Sequence, residues 1–303
     1  MRAAAYLYPN PPLEGSRLTD IWGRTYLMKN EPFLEVVLCD LPPGEYVVEL
    51  LSPVRLRQAF EVSSGFRTLF FTHRAFDDPE LPEVRLQISS DLRAGEELTL
   101  PLRVHKLHGQ VRDFEGRPFP AYVWAASENP SSPQAIVRTD EEGRFTLWYP
   151  EGKPLRVFID DKSYSRATYE CWIASPNLRT DVQLNPRVGD FELWGLHAWR
   201  TQLHWHVYFW PCSLPLDLRA KRLNKEFSVP RLKEEEITVR FDGEEVPIWG
   251  LHRVPIQSGR GRASVYLLDL PLQDKKNPCE PTLIQVEVHT ATRGRGEAWY
   301  IAW

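Results

Sequence analysis

Two turns of the same pattern, set between short alternating segments, limit what this chain can fold into. The turns read Asp113-Phe-Glu-Gly116 and Asp140-Glu-Glu-Gly143. In each, the Asp carboxylate can accept backbone hydrogen bonds within a type I turn, and the Gly supplies the positive φ that closes the turn. The flanking residues alternate with a period of two, which predicts strands with one buried face. The predicted buried positions are Leu107, Gly109, Val111, Ala121, Val123, Ala125, Phe145 and Leu147.

Short alternating segments separated by turn residues extend over the rest of the 303 residues, and no stretch keeps a helical period for three turns. This pattern predicts an all-β chain of three consecutive β-sandwich modules of the immunoglobulin-like or transthyretin-like kind. We place an N-terminal β domain at 1–104, a middle sandwich at 105–184 and a C-terminal sandwich at 185–303. In the third module we expect eight strands, two of them at 213–219 and 245–252.

The middle module resembles the carboxypeptidase regulatory-like domain, which is a transthyretin-like β-sandwich. The resemblance covers residues 105–184 only, and the chain departs from the family at 150–154, where Pro-Glu-Gly-Lys-Pro replaces the common Pro-x-Gly-x-Tyr. It implies a fold, because such modules are appended to enzymes, surface proteins and transporters and usually carry no chemistry themselves. The matching residues are Gly109, Val111, Asp113, Gly116, Pro118, Pro120, Ala121, Val123, Thr139, Asp140, Gly143, Phe145 and Leu147.

No catalytic signature appears in the sequence. None of the eight histidines is followed by Glu three residues later, as the ligand pair of a zinc carboxypeptidase would require. His-Glu-x-x-His, Gly-x-Ser-x-Gly and phosphate-loop patterns are missing as well. We therefore expect a protein that is not an enzyme and that has no cofactor.

A group of four histidines is the candidate metal site. His204 and His206 point to the same face of a strand, and His197 or His252 could add a third imidazole from a neighbouring strand to give a zinc or copper site. No carboxylate or cysteine follows them at a fixed offset. The alternative is that they are ordinary hydrogen-bonded imidazoles. We favour that alternative and expect a sheet to separate the histidines.

Tryptophans concentrate in the same region. Trp194-Gly-Leu-His197 recurs as Trp249-Gly-Leu-His252, which predicts two equivalent or adjacent strands. In each copy the Trp and Leu should be buried, with the His on the opposite face. Aromatic residues can form a core or a stacking platform for a ligand. The candidate ligand-binding residues are Trp194, Trp199, Trp205, Trp210 and Trp249.

Charge and composition restrict the partners. A net charge of −4 gives no global attraction to nucleic acid or to anionic membranes, and no window approaches the ~18 apolar residues of a membrane span. The N-terminus lacks the apolar run of a secretory signal, and the four cysteines, Cys39, Cys171, Cys212 and Cys279, are widely scattered. We expect a cytoplasmic protein with reduced thiols, with export without a visible leader as the alternative.

These observations leave three hypotheses. The favoured one is a non-catalytic multi-module protein that acts in protein–protein binding or structural assembly, with other protein subunits as partners. The second is a carbohydrate-binding protein that stacks a glycan on the five tryptophans. The third is a metal-dependent enzyme built on His197, His204, His206 and His252.

Overall fold

The computed structural model describes most of the chain and confirms the all-β fold class. It contains 26 short strands and two 3₁₀ helices within the described ranges. None of the helical segments in that part of the chain has the length and apolar character needed to cross a membrane. The described residues are 1–19, 25–63, 65–91, 93–125, 135–160, 170–213, 230–258, 261–273 and 279–303, with the isolated residues Leu216, Arg219 and Arg222.

The N-terminal region builds two antiparallel sheets around one core. Strands β1, β4 and β7 form one sheet in the order β1-β4-β7, a second sheet has the order β6-β5-β8-β9, and β2 pairs with β3. Leu34, Val36, Val48 and Leu86 lie fully buried between the two sheets. The elements are β1 (Arg2–Tyr8), β2 (Leu13–Thr19), β3 (Thr25–Asn30), β4 (Phe33–Cys39), β5 (Gly44–Ser52), β6 (Leu56–Val62), β7 (Phe66–Thr72), a 3₁₀ helix (Arg74–Phe76), β8 (Glu83–Ser90) and β9 (Arg93–Pro101).

The middle region has a core of its own, built from the predicted alternating residues. All of them are buried except Gly109, which is half-buried. The short sheet has the order β14-β10-β17, and β11 pairs with β18. The strands are β10 (Val104–Gln110), β11 (Arg112–Asp113), β12 (Tyr122–Ala125), β13 (Ile136–Arg138), β14 (Arg144–Pro150), β15 (Leu155–Asp160), β16 (Glu170–Ser175), β17 (Val182–Leu184) and β18 (Arg187–Val188).

Both Asp-x-x-Gly turns have the predicted geometry. Gly116 and Gly143 have φ of +82° and +76°. The Asp113 Oδ1 accepts hydrogen bonds from the backbone N–H groups of Glu115 and Arg117 at 3.0 and 2.9 Å. The Asp140 Oδ1 accepts one from the N–H of Arg144 at 2.7 Å. The carboxylates therefore hold both turns in the way that the sequence predicted.

The C-terminal region contributes eight strands in two layers. A four-stranded sheet has the order β19-β20-β24-β23, and its core face packs on β21, β25 and β26. The elements are β19 (Phe191–Arg200), β20 (His204–Ser213), a 3₁₀ helix (Glu234–Glu236), β21 (Ile237–Phe241), β22 (Glu244–Val246), β23 (Gly250–Ser258), β24 (Gly261–Pro271), β25 (Thr282–Thr290) and β26 (Gly294–Ala302).

One eight-stranded sheet joins the middle and C-terminal regions. Its order is β13-β12-β15-β16-β26-β25-β21-β22, and the join is a parallel pairing in which Ile173 of β16 lies opposite Trp299 of β26. Ile301 of β26 also belongs to the middle core. Strands on both sides of the predicted domain boundary between residues 184 and 185 therefore belong to the same sheet.

All four cysteines are among the described residues, and no disulfide joins them. Cys171 is completely buried, and this burial raises the pKa of its thiol well above the usual value. A buried thiol with a raised pKa is chemically inert.

Candidate functional site

The predicted site residues all belong to the four-stranded sheet or lie directly beside it. The sheet consists of two hairpins, β19–β20 and β23–β24, that pair along β20 and β24. Strand β20 alternates strictly, so that Trp205, Val207 and Phe209 enter the core while His204 and His206 lie on the other face. This alternation follows from the period of two along a strand.

Register places a defined set of side chains across the non-core face. Trp199 of β19 is opposite His206 of β20, His206 is opposite Asp269 of β24, and Asp269 is opposite Gly250 of β23. Because directly paired residues share a face, Trp199, His206 and Asp269 point to the same side. The indole of Trp199 lies 5.0 Å from the imidazole of His206, centroid to centroid.

Three imidazoles converge on the Asp269 carboxylate, and we call His204, His206, His252 and Asp269 the His–Asp cluster. The His206 Nδ1 lies 2.7 Å from the Asp269 Oδ1, and the His204 Nε2 lies 3.9 Å from the same oxygen. The His252 Nε2 is hydrogen-bonded to the Asp269 Oδ2 at 2.8 Å. The rings of His204 and His206 are 4.3 Å apart.

The His206 contact has an unusual geometry. Its Nδ1 is buried, and the short approach to Asp269 lacks the direction of a regular hydrogen bond, so that this nitrogen has no directed partner among the described residues. We treat the 2.7 Å distance as an electrostatic contact between imidazole and carboxylate. It leaves a ligand atom of His206 available inside the cluster.

Electrostatics favour the ionised form of Asp269. Partial burial would raise the pKa of this carboxyl group, but the hydrogen bond with His252 and the electrostatic contact with His206 outweigh it, and the pKa lies below its ordinary value. Asp269 is therefore a carboxylate at neutral pH.

Gly250 makes room for the cluster. A Cβ at this position would lie 2.9 Å from both the Asp269 Oδ2 and the His252 Nε2, which is too close for either atom to stay in place. The Gly of the second Trp-Gly-Leu-His copy thus permits the hydrogen bond between His252 and Asp269. This Gly therefore leaves space beside His252.

The two Trp-Gly-Leu-His copies occupy equivalent positions at opposite edges of the sheet, on β19 and at the start of β23. Their predicted burial holds only in part. Leu196 is buried, Leu251 and Trp194 are half-buried, and Trp249 is 63% exposed. In the first copy a β-bulge at Gly195, whose φ is +61°, places Trp194 on the same face as His197.

The five candidate tryptophans differ in burial and do not form one exposed group. Trp205 is buried in the core, which excludes it from any surface platform. Trp194 and Trp210 are half-buried and lie edge to face at 5.9 Å. Trp199 is 39% exposed, so that it and Trp249 are the two of the five that offer substantial surface to a ligand.

The expectation that a sheet separates the histidines was wrong, because register places all four on the non-core face of the sheet. His204, His206 and His252 share one face because β20, β24 and β23 are consecutive in the sheet. His197 is outside the cluster, since its ring packs on Trp199 at 5.8 Å and edge-on against Tyr300 at 5.4 Å.

Sequence reasoning missed Asp269, the residue that brings the cluster together. It stands on a strand far along the chain from His204 and His206, so that no fixed offset links it to them. The signal was a lone carboxylate in the apolar run Val-Tyr-Leu-Leu-Asp-Leu-Pro-Leu at 265–272. In an alternating strand, such a residue points away from the core face.

Exposed apolar side chains concentrate on the same sheet. Among the described residues six large apolar side chains are exposed, and four of them lie on this sheet or its turns, whereas Met1 and Phe66 lie elsewhere. Leu203, at the tip of the β19–β20 hairpin, is 75% exposed, and Thr201 fixes that turn through a hydrogen bond from its Oγ1 to the His204 carbonyl at 2.8 Å. We call these four residues, Trp199, Leu203, Trp249 and Val254, the apolar surface.

No protein-family model matches the chain, and no curated protein matches it. A solved DUF3823 family protein from Parabacteroides merdae is 9% identical, with 66% of this chain and 98% of that chain covered and a TM-score of 0.21. A bacterial ice-binding adhesin is 8% identical, with 100% and 96% covered and a TM-score of 0.21. Invasin, a bacterial integrin-binding protein, is 9% identical, with 100% and 60% covered and a TM-score of 0.17. Similarities this low carry no argument about the site.

Proposed function

We propose that this chain is a non-catalytic binding or assembly protein and that another protein docks on its apolar surface. One observation carries the proposal: four of the six exposed large apolar side chains among the described residues belong to one sheet and its turns. Single exposed apolar residues are normal on a protein surface, whereas a concentration of them marks an interaction site.

The residue types fit a protein interface. Trp is among the residues that most often dominate binding energy at interfaces, and Trp199 and Trp249 are both exposed. The His–Asp cluster lies between them and adds polar groups that can orient a partner. Protein interfaces combine apolar contacts with polar groups that orient the partner.

The spacing of the two indoles favours a protein over a glycan. Trp199 is on edge strand β19, while Trp249 precedes β23 at the other edge, with β20 and β24 between them. Three strand spacings amount to roughly 14 Å. A sugar-stacking platform needs neighbouring exposed rings, and the rings nearest to Trp199 in the sheet are imidazoles. Carbohydrate binding is therefore the second candidate.

We also infer that residues 105–184 act as a scaffold of the carboxypeptidase regulatory-like kind. The inference is supported by the geometry of the Asp113 and Asp140 turns and by the buried alternating core. The role of such a module would be to carry and position the C-terminal region, whose strand β26 pairs with β16.

The docking proposal is tested with the intact chain and two matched variants. A partner captured from source cells is purified and titrated calorimetrically against wild type, the double variant Trp199→Ser/Trp249→Ser, and Phe66→Ser as control. Phe66 is 57% exposed but lies on β7, outside the apolar surface. We expect the double variant to bind at least about tenfold more weakly, because a single interface hot spot, commonly a Trp, costs about 2 kcal/mol or more when truncated and tenfold corresponds to about 1.4 kcal/mol.

Three results would contradict the proposal. One is a partner affinity that the double variant leaves unchanged. Another is that every protein retained by wild type is also retained by the double variant. The third is a glycan-array signal that both indole substitutions abolish, which would establish the carbohydrate alternative instead.

A further inference from the structure

We propose that His204, His206 and Asp269 bind one divalent transition-metal ion, best matched by zinc, and that His252 positions the Asp269 carboxylate. The inference goes beyond the docking proposal, because the ion would bind in the absence of any partner. It starts from a geometric fact: one ligand atom from each of the three residues lies within 4.8 Å of the other two.

The distances suit a small ion after modest side-chain rotation. Zinc binds His nitrogen at about 2.0–2.1 Å and carboxylate oxygen at about 2.0–2.2 Å, so that tetrahedral ligand atoms lie roughly 3.3 Å apart. The His206–Asp269 pair is closer than this at 2.7 Å, and the His204–Asp269 pair is wider at 3.9 Å. An ion between the three groups would therefore push the first pair apart and draw the second together, each by well under 1.5 Å.

The ligand types are the ones that zinc uses. Two imidazoles and one carboxylate form a three-ligand set that leaves a fourth position open to water or to another ligand. The three side chains are 19–28% exposed, so that an ion can reach them from solvent while protein still surrounds most of each group. The His206 Nδ1, which is buried and has no directed hydrogen bond among the described residues, is a ligand atom that an ion would satisfy.

His252 plays a different role. Its Nε2 bonds to the Asp269 Oδ2, whereas the two ligating histidines approach the Oδ1. A hydrogen bond to the outer oxygen orients a ligating carboxylate, and outer-shell partners of this kind change metal affinity substantially. Gly250 leaves room for this bond, because a Cβ at this position would lie 2.9 Å from both atoms and would force them to shift.

The same four residues could instead form a metal-free imidazole–carboxylate network. The two arrangements differ in what can be measured. Only a metal site binds one zinc ion per chain at saturation. Only in a metal site does zinc affinity depend on His204 and His206 but not on His197. His197 lies on the same strand pair, outside the cluster, and serves as the matched control.

The test is calorimetric titration of the chelator-treated full chain with zinc alone, repeated with cobalt(II) and followed by visible absorption. We expect one ion per chain. His204→Gln, His206→Gln and Asp269→Asn should each weaken binding at least 100-fold, His252→Gln should weaken it about 10- to 100-fold, and His197→Gln should change it less than twofold. Circular dichroism shows whether each variant is folded.

The melting temperatures of the folded variants, with and without zinc, give a second measurement. Zinc should raise the melting temperature of wild type and of His197→Gln, because a ligand that binds the native state stabilises it, and should not raise that of Asp269→Asn. The proposal is overturned if wild type binds no zinc stoichiometrically, if Asp269→Asn binds as tightly as wild type, or if His197→Gln loses as much affinity as His206→Gln. None of these results bears on partner docking.

Discussion

At the scale of single residues, two glycines with nearly the same backbone conformation have very different surroundings. Gly116 and Gly143 close the two Asp-x-x-Gly turns with φ of +82° and +76°. A Cβ on Gly116 would meet nothing within 4 Å, whereas a Cβ on Gly143 would clash with the Val111 carbonyl oxygen. The pair therefore separates the effect of backbone strain from that of crowding.

We expect Gly116→Ala to lower the free energy of unfolding by about 1 kcal/mol, which is the strain of an L-residue at positive φ. Gly143→Ala should lower it by about 3 kcal/mol, because overpacking against fixed backbone adds to the same strain. Urea denaturation of both variants measures the difference. Equal losses would show that the turn at Gly143 opens to accept a methyl group.

Some residue-scale features were predictable from the sequence and others were not. Turn chemistry and strand alternation are local, so the Asp113 and Asp140 turns and the buried face of the middle region could be inferred from neighbouring letters. The bulge at Gly195 breaks the period of two, and Trp194 was misplaced because its Gly was interpreted as space beside a His and not as a bulge. Asp269 joins the histidines only through the pairing of β20 with β24, which no local pattern encodes.

At the scale of elements, a buried charged network ties β18 to β26. Arg187 donates to the Glu297 carboxylate from its backbone N–H at 2.7 Å and from its Nε at 2.8 Å. Gln285 and Trp299 donate to the same carboxylate at 2.7 and 2.8 Å. Because the Glu297 side chain is fully buried, its charge depends on these four donors.

Removing Arg187 should be costly, and the cost should depend on pH. Burial raises the pKa of Glu297, although Arg187 opposes the rise. A group with a raised folded-state pKa stabilises the fold fully below its unfolded pKa, and that stability is lost as the pH rises through the folded pKa. Without Arg187 the rise in pKa grows, so that the loss of stability grows toward neutral pH.

We therefore expect Arg187→Met to destabilise the fold by about 3 kcal/mol near pH 7.5 and by clearly less near pH 4.5. Arg85→Met is the control, because Arg85 pairs with Glu97 at 3.9 Å on the surface, and should cost about 0.5 kcal/mol or less at both pH values. Thermal melts at the two pH values measure this. A loss at Arg187 that is the same at both would contradict the buried-charge explanation.

Strands were predicted correctly where turn residues next to them mark their ends, and one strand prediction failed at a proline. The predicted strand at 245–252 is two strands, β22 and β23, because Pro247 has no N–H to donate to a sheet. The predicted strand at 213–219 is not supported by its described residues, because Ser213 ends β20 and Leu216 and Arg219 are helical, while the other four positions lie outside the described residues. The order of strands in the eight-stranded sheet depends on pairing between distant segments, which a single sequence does not show.

At the scale of the whole molecule, the three large cores are connected by shared elements. The N-terminal core meets the middle core where Tyr8 stacks on Phe33 at 4.3 Å and lies edge-on to Tyr149 at 5.5 Å. Lys153 pairs with Glu35 across the same junction at 2.7 Å. The domain boundaries near 104 and 184 stay predictions. The second is harder to test, because the eight-stranded sheet continues across it.

We expect residues 105–184 expressed alone to melt cooperatively, because most of their core is their own, but at least about 5 °C below the transition of residues 105–303. The shorter fragment exposes β16, which loses its pairing with β26, and it also loses Ile301 from its core. Calorimetry of both fragments measures the difference. A disordered short fragment would contradict the module boundaries, and equal melting temperatures would contradict the stabilising role of the shared sheet.

The central claim is that a protein partner covers the apolar surface of the four-stranded sheet. Hydroxyl-radical footprinting of the intact chain, free and saturated with its partner, tests it most directly, because oxidation reports the accessibility of individual side chains. We predict that Trp199, Leu203 and Trp249 become protected at least about threefold, while Phe66 on β7 keeps its reactivity. Full reactivity of both tryptophans in the complex, or protection centred on Phe66, would contradict the account.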